Sequence, residues 1–459
     1  MAAPFRAVMA PSPLLPEPVM ANYVKISGFL GACITGAVHF LTDLRKAPAL
    51  AEEAGYGDLP KLPRPKPTLI PIMKIAPAIG WAPGQKPKPA PGFKVSFFAE
   101  NLDHPRWVYE LPNGDILVAE TAGPPWPAGI FSLRWWAMGF VMARAGAGVK
   151  SANRITLLRD ADGDGVAEIK LPFLENLYSP FGMALVGDQL YVANADALVR
   201  FPYVPGATRI DAPPVKVCDL PSGRNHHWTK SLVANKEGTK LYVGVGSNSN
   251  VAEYGMGEEV DRAAILEVDI ATGTRRVFAG GLRNPVGMDW NPVTGELWTS
   301  VNERDEIGDD LVPDYMTSVK DGAFYGWPYC YYDKIVDERV KPQRPDLVAA
   351  SLKPDYALGS HTASLGLTFV DDDRFGARFT HGAFIGQHGS WNRNPPSGYR
   401  VIFVPFTEGK PAGPPEEILG GFRVDGKALG RPVGVIVDRR GGLLVVDDVG
   451  DCIWRVTPA

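Results

Sequence analysis

A phrase recurs six times along this chain: a polar residue or proline, a short apolar strand, a turn with Gly or Asp, then a second apolar strand. The copies run His104–Glu120, Ser179–Asn194, from His227, Asn284–Asn302, from His361 through Leu367 to Ala383-Phe-Ile, and Arg431–Asp448. Further strand-like runs lie between them, such as Ala264-Ile-Leu-Glu-Val-Asp and Cys452-Ile-Trp-Arg-Val. Each copy therefore has room for four strands. A single such unit cannot cover its own apolar faces, so repeats of this kind bury them against one another. Six units closing radially make a six-bladed β-propeller, all-β, with only short sheet edges exposed. A pair of β-sandwiches is the competing arrangement, and six copies in one phase argue against it. The 50 glycines and 43 prolines are spread as turn punctuation, which favours many short strands over long helices.

In a propeller the equivalent loop of every blade points at one face, so separation in sequence becomes proximity in space. The residues entering the first repeated strand, Arg106, Ser179, His227, Asn284, His361 and Arg431, are expected to ring one funnel. His227, in His226-His227-Trp228, is the candidate general base, because an imidazole titrates near neutrality and can take a proton from a substrate hydroxyl. His226 faces away or orients its neighbour. His361 is a second candidate, as a functional or a structural histidine.

Three loops carry further chemistry. Asp160, Asp162 and Asp164 alternate with small residues before Glu168, a spacing that wraps a hard cation, although Leu171 stands where an EF-hand would have Glu. This is a structural calcium site or a tight acidic turn. The run Asn302-Glu303-Arg304-Asp305-Glu306 follows the second strand of the fourth copy and offers oxygen donors at the funnel face. The loop from Gln387 to Arg400 gathers His388, Trp391, Arg393 and Arg400, and arginine forks suit carboxylates. No Walker loop or GxGxxG opens a helix, so nucleotide cofactors are not expected.

The formal charge of -4 gives no basic surplus for phosphates, so no nucleic-acid partner is expected. The four cysteines form no CxxC pair and no CxxCH haem motif. Residues 1–90 form an amino-terminal extension and residues 91–459 the repeating domain. Within the extension, residues 26–41 are apolar and read as a signal or anchor, or as a short buried helix. From Leu59 to Pro91 the chain is Pro- and Lys-rich, extended, and expected to lie over the main domain.

At His227-Trp-Thr-Lys-Ser-Leu, Gly281-Leu-Arg-Asn-Pro-Val-Gly, Asp305-Glu-Ile and His388-Gly-Ser-Trp-Asn-Arg the chain resembles the soluble quinoprotein glucose/sorbosone dehydrogenase family, most of all its L-sorbosone dehydrogenase branch. The resemblance covers roughly Pro91 to Pro458. It implies a six-bladed propeller that uses pyrroloquinoline quinone (PQQ) and Ca²⁺ to oxidise a sugar aldehyde or aldose. By the same resemblance His227 is the base, and Asn284 contacts PQQ, with His361 counted beside it. Arg393 and Arg400 meet the PQQ carboxylates. The loop at Asn302 and Glu303 holds the cofactor calcium, with Asn-Glu here where those relatives have Gly-Pro. A sugar substrate, a separate electron acceptor and a periplasmic location, with membrane association through residues 26–41, complete the expectation. A calcium-dependent lactonase-type hydrolase and a non-catalytic binding propeller are the alternatives.

Overall fold

The computed structural model describes residues 49–67, 73–125, 139 and 142–459. The apolar run 26–41 lies outside them. Six radial sheets form the propeller, each with a core of four strands in simple antiparallel order, and two short two-stranded sheets lie outside them. Blade 1 begins with Pro105–Glu110, blade 2 with Met183–Val186, blade 3 with Leu232–Ala234, blade 4 with Pro285–Trp290, blade 5 with Ser364–Asp371 and blade 6 with Pro432–Val437. The ring closes because Phe93–Ala99, from the start of the repeating domain, pairs antiparallel with Cys452–Pro458 at its end and becomes the outer strand of blade 6.

Burial follows the radius. The second strands Ile116–Glu120, Leu297–Val301 and Leu443–Asp447 are buried at every position, because a neighbouring blade covers each face. Their near-continuous apolar sequences are what a strand covered on both sides requires. Outer strands such as Ile169–Leu174 and Arg275–Gly280 are exposed over half their length. The core is therefore divided among the blade interfaces. One cluster joins Leu117 and Leu157 to Met183 and Val192, and another joins Tyr191 and Leu198 to Leu241 and Val243. The same pattern recurs around the ring to Leu444 and Ile453 against Val108 and Val118.

At the centre the inner strands meet backbone to backbone, which explains the glycine of the repeated phrase. A Cβ on Gly287 would stand 2.6 Å from Leu367 N, and one on Gly366 2.5 Å from Val433 O. On Gly182 it would stand 2.6 Å from Lys230 O. The extension is woven into this body. Tyr56–Gly57 adds to the edge of blade 4 and Lys88–Pro89 to the edge of blade 5. Among the described residues no helix is long and apolar enough to cross a membrane.

Gly287→Ala must push blades 4 and 5 apart and is expected to cost about 1–3 kcal/mol, the usual penalty of overpacking. Gly257→Ala, into open space, should stay within about 0.5 kcal/mol of wild type. Denaturant unfolding of the two variants checks this.

Candidate active site

The loops above blades 3, 4 and 5 enclose a cavity of about 510 Å³. His226 and His227 enter from the start of blade 3, Arg283 and Asn284 from the start of blade 4, and Asn302, Glu303, Asp305 and Glu306 from beyond the end of its second strand. His361 comes from the start of blade 5, and Trp391 and Asn392 from the loop after its second strand. Three of the six ring positions, His227, Asn284 and His361, thus line one space. Arg106, Ser179 and Arg431 do not. Their arc is filled by a buried network in which Asp448 pairs with Arg106 and accepts from His388 Nε2 at 2.9 Å. Arg431 donates there to the carbonyls of His388 and Gly389, both at 3.2 Å. The funnel is eccentric because that half has filled itself with its own ion pairs.

His227 is fixed in one tautomer. Its Nδ1 lies 2.9 Å from Ser247 O and 3.0 Å from Ser247 Oγ, and that hydroxyl donates its proton to Ser249 O at 2.6 Å. Nδ1 therefore carries the hydrogen, and Nε2 keeps its lone pair. The supporting loop is itself held from below: buried Glu259 accepts from Asn248 N at 2.7 Å and from Ser249 Oγ. Gly246 makes room, since a Cβ there would lie 2.5 Å from His227 Cβ and would strike Asn284 Oδ1. Burial, reinforced by the Arg283 charge, pushes the His227 pKa well below the usual histidine value. Burial likewise lowers His226 to about 4, and its ring stands edge-on to His227 at 4.6 Å. Both imidazoles are neutral at pH 7.

Among the described residues Arg283 is the cation of the cavity wall. Its Nη2 donates to Asp305 Oδ2 and Asn250 Oδ1, each at 3.0 Å, its Nε to Asn250 O at 3.2 Å, and its Nη1 to Glu303 O at 2.6 Å and Asn302 O at 3.4 Å. Burial works against the Asp305 charge, but Arg283 and the bond from His361 hold its carboxyl far below the ordinary range. His361 is raised by the same contact against the pull of burial. Its two ring nitrogens face Gly308 O at 3.0 Å and Asp305 Oδ1 at 3.3 Å, so His361 braces the 302–310 loop and leaves no ring nitrogen free for a ligand. The Glu303 side chain pairs with fully buried Arg304 at 3.0 Å, so only its main chain serves the cavity face. Asn284 Nδ2 donates to Asn302 Oδ1 at 3.3 Å, whereas its buried Oδ1 has no partner.

Arg393 and Arg400 lie elsewhere, which corrects their expected place at the ligand. Arg393 donates to Leu50 O, Asp309 O, Pro395 O and Asp310 Oδ1. Arg400 donates to Glu52 Oε1 and Tyr56 OH, both at 2.7 Å. Both bind the extension, and neither lines the cavity. The guanidinium that does is Arg283, one residue before Asn284. Asp160, Asp162 and Asp164, with Glu168, bring carboxylate oxygens within 4.8 Å of one another at a turn of blade 1. They are remote from the cavity, and Asp160 already pairs with Arg440 and accepts from Gly163 N and Gly165 N.

Removing Arg283 strands a buried carboxylate. Arg283→Met is expected to cost about 3 kcal/mol or more at pH 7. Asp305→Asn added to it should recover part of the loss, as read by urea unfolding.

A family model described as TrAA12-like matches residues 87–459. An uncharacterized protein of Borreliella burgdorferi is 30% identical over 233 residues, 50% of this chain and 60% of that protein. A pyrroloquinoline quinone-dependent pyranose dehydrogenase of Coprinopsis cinerea is 26% identical over 230 residues, 40% of this chain and 31% of that enzyme. The chain thus spans less than two thirds of either relative. Among solved structures, the holo PQQ domain of the Coprinopsis cinerea pyranose dehydrogenase superposes with a TM-score of 0.64 at 19% identity, covering 83% of this chain and 100% of that one. An iodide structure of the Trichoderma reesei carbohydrate-active enzymes family AA12 gives 0.66 at 18%, covering 84% and 98%. The superpositions share the six-bladed fold.

Proposed function

The chain belongs to the TrAA12-like family, and on that premise we propose that it is a PQQ- and Ca²⁺-dependent oxidoreductase that oxidises an aldose or a sorbosone-like sugar aldehyde. The observation that carries this reading is His227 Nε2, unprotonated and with its lone pair exposed to the cavity, in one space with Arg283 and the unpartnered Asn284 Oδ1.

The residues present fit the cofactor. Arg283, whose N–H groups already bind Asp305, Asn250 and the carbonyls of Asn302 and Glu303, brings its positive charge to an anionic, carbonyl-bearing ring system, and Asn284 Oδ1 stands beside it without a partner. The main-chain carbonyls of Asn302 and Glu303, which accept from Arg283 Nη1, are the oxygens a calcium ion would take. The lining carboxylates Glu253, Asp305 and Glu306 supply the negative charge that a divalent cation balances. When bound, the quinone supplies the two-electron sink and the calcium polarises its carbonyl. The protein's part is proton removal and orientation. His227 Nε2 takes the substrate hydroxyl proton, which for an aldehyde belongs to its hydrate. The Ser247 carbonyl stabilises the resulting imidazolium through Nδ1–H. His226 and Asn284 present polar edges to the sugar. Electrons leave to a separate acceptor. Export to the periplasm and membrane association through residues 26–41 belong to the same proposal.

Protein reconstituted with PQQ and Ca²⁺ is expected to reduce a redox dye with aldoses or osones and to shift the PQQ absorption. An inactive dye assay together with lactone hydrolysis would replace the reading with a hydrolase. His227→Ala should lower kcat by about 10²–10⁴, the usual share of a positioned base, while PQQ binding persists. Because the His227 pKa is depressed, the base is in its active neutral form throughout the neutral range. The kcat/KM profile should therefore be flat above pH 6.5 and fall only at lower pH, as that nitrogen is protonated.

A further inference from the structure

Of the two aromatic residues Tyr254 and Trp391 described in the cavity lining, Trp391 is backed by more than the propeller. Trp391 lines the cavity from the loop after the second strand of blade 5. On its other side it packs against a small cluster of Met73, Ile75 and Ala145, which are 7%, 3% and 6% exposed. Two of those three residues come from the Pro-rich extension. Lys74 N donates to Trp391 O at 2.8 Å, so backbone as well as side chains dock there. The neighbouring residues are anchored in turn. Ala78 N donates to Arg144 O at 2.9 Å, which holds the segment carrying Ala145 and the cavity residue Met142. Trp81 Nε1 donates to Asp447 Oδ2 at 2.8 Å and its ring meets Trp454 and Phe422 edge-on. Upstream, Lys66 N donates to Ile307 O at 2.8 Å, in the acidic loop. Residues 49–86 precede the span matched by the family model.

We infer that residues 73–75 of the extension are specificity determinants: by backing Trp391 they set the wall against which a substrate sugar ring stacks. The C–H face of a pyranose is apolar and packs on an indole, while the hydroxyl edges need the polar lining that His226, His227 and Asn284 provide. Holding a large side chain in one rotamer before binding removes an ordering cost, and the saving appears in affinity. Asn392, next to Trp391, donates to Asp305 at 2.7 Å, so the polar half of this loop is held separately by the cavity floor. Loss of the extension contact therefore loosens the indole and leaves the base and Arg283 in place. This inference rests on the proposed sugar oxidation for its kinetic arm only.

The test uses the full chain carrying Met73→Ala and Ile75→Ala together, with Ile75→Val as a milder second variant and Leu59→Ala, 79% exposed in the same extension, as a control. Hydrogen exchange of the 388–393 segment should quicken at least tenfold in the double variant and measurably in Ile75→Val. KM for aldoses should rise about fivefold or more with kcat within twofold. Trp391→Ala should itself raise KM, and adding the double substitution to it should raise KM no further. Unchanged exchange in both variants overturns the brace, whatever the activity. Quickened exchange with unchanged KM, or KM effects that add to those of Trp391→Ala, overturns the specificity role. Absence of dye reduction in the wild type with every sugar sinks the proposed oxidation, and the specificity role with it, while the exchange result still decides the brace.

Discussion

Everything at the cavity depends on close contact between the inner strands of adjacent blades. Backbone meets backbone at Gly182, Gly287 and Gly366, where a Cβ has no room. That contact fixes the angle between sheets, and the angle decides which loops converge. Apolar surface is buried between blades rather than within one of them, so each unit is stable only through its neighbours. The pairing of Phe93–Ala99 with Cys452–Pro458 completes the last interface. A rigid ring of this kind lets His227, Arg283 and His361, far apart in sequence, keep fixed positions.

Within the ring, one ionic hub organises the cavity. Arg283 holds Asp305, Asn250 and the carbonyls of Asn302 and Glu303, and His361 and Asn392 hold Asp305 from the other side. Burying a carboxylate and a guanidinium together is costly unless their hydrogen bonds are satisfied, and nearly all are here. The exception is Asn284 Oδ1. A buried amide oxygen without a donor is expensive in a closed core, and its place in a cavity wall gives it a natural use toward a ligand. On the opposite arc Asp448 holds Arg106 and His388, and Arg431 binds the carbonyls of His388 and Gly389, so the atoms this network leaves without a partner are the donors Arg106 Nε and Arg431 Nε.

The fold was legible because its physical signature is local: polar entry, apolar strand, turn, apolar strand, repeated in phase. The position of His227 followed from that phase alone. Direction was not legible. Arg393 and Arg400 sit in a loop that reaches the cavity through Trp391 and Asn392, yet their side chains bind Leu50, Glu52 and Tyr56. Partners more than three hundred positions away leave no trace in local spacing. The pairing of Asp160 with Arg440 is hidden for the same reason. Arg283 directly precedes Asn284 in the run from Gly281 to Gly287, and only the geometry shows that, among the described residues, it is the cation lining the cavity. The course of the extension, from the edge of blade 4 past Ile307 and Trp391 to Asp447 and the edge of blade 5, depends on surfaces that exist only after the ring has closed.

The claim that this cavity is a quinone site is tested most directly by a crystal structure of the full chain grown with PQQ and Ca²⁺. The account predicts the cofactor above blades 3 to 5, in contact with Arg283 and Asn284, with His227 Nε2 facing the open side and calcium on the carbonyls of Asn302 and Glu303. An empty cavity at saturating PQQ, or PQQ bound on the Asp448 side, would contradict it.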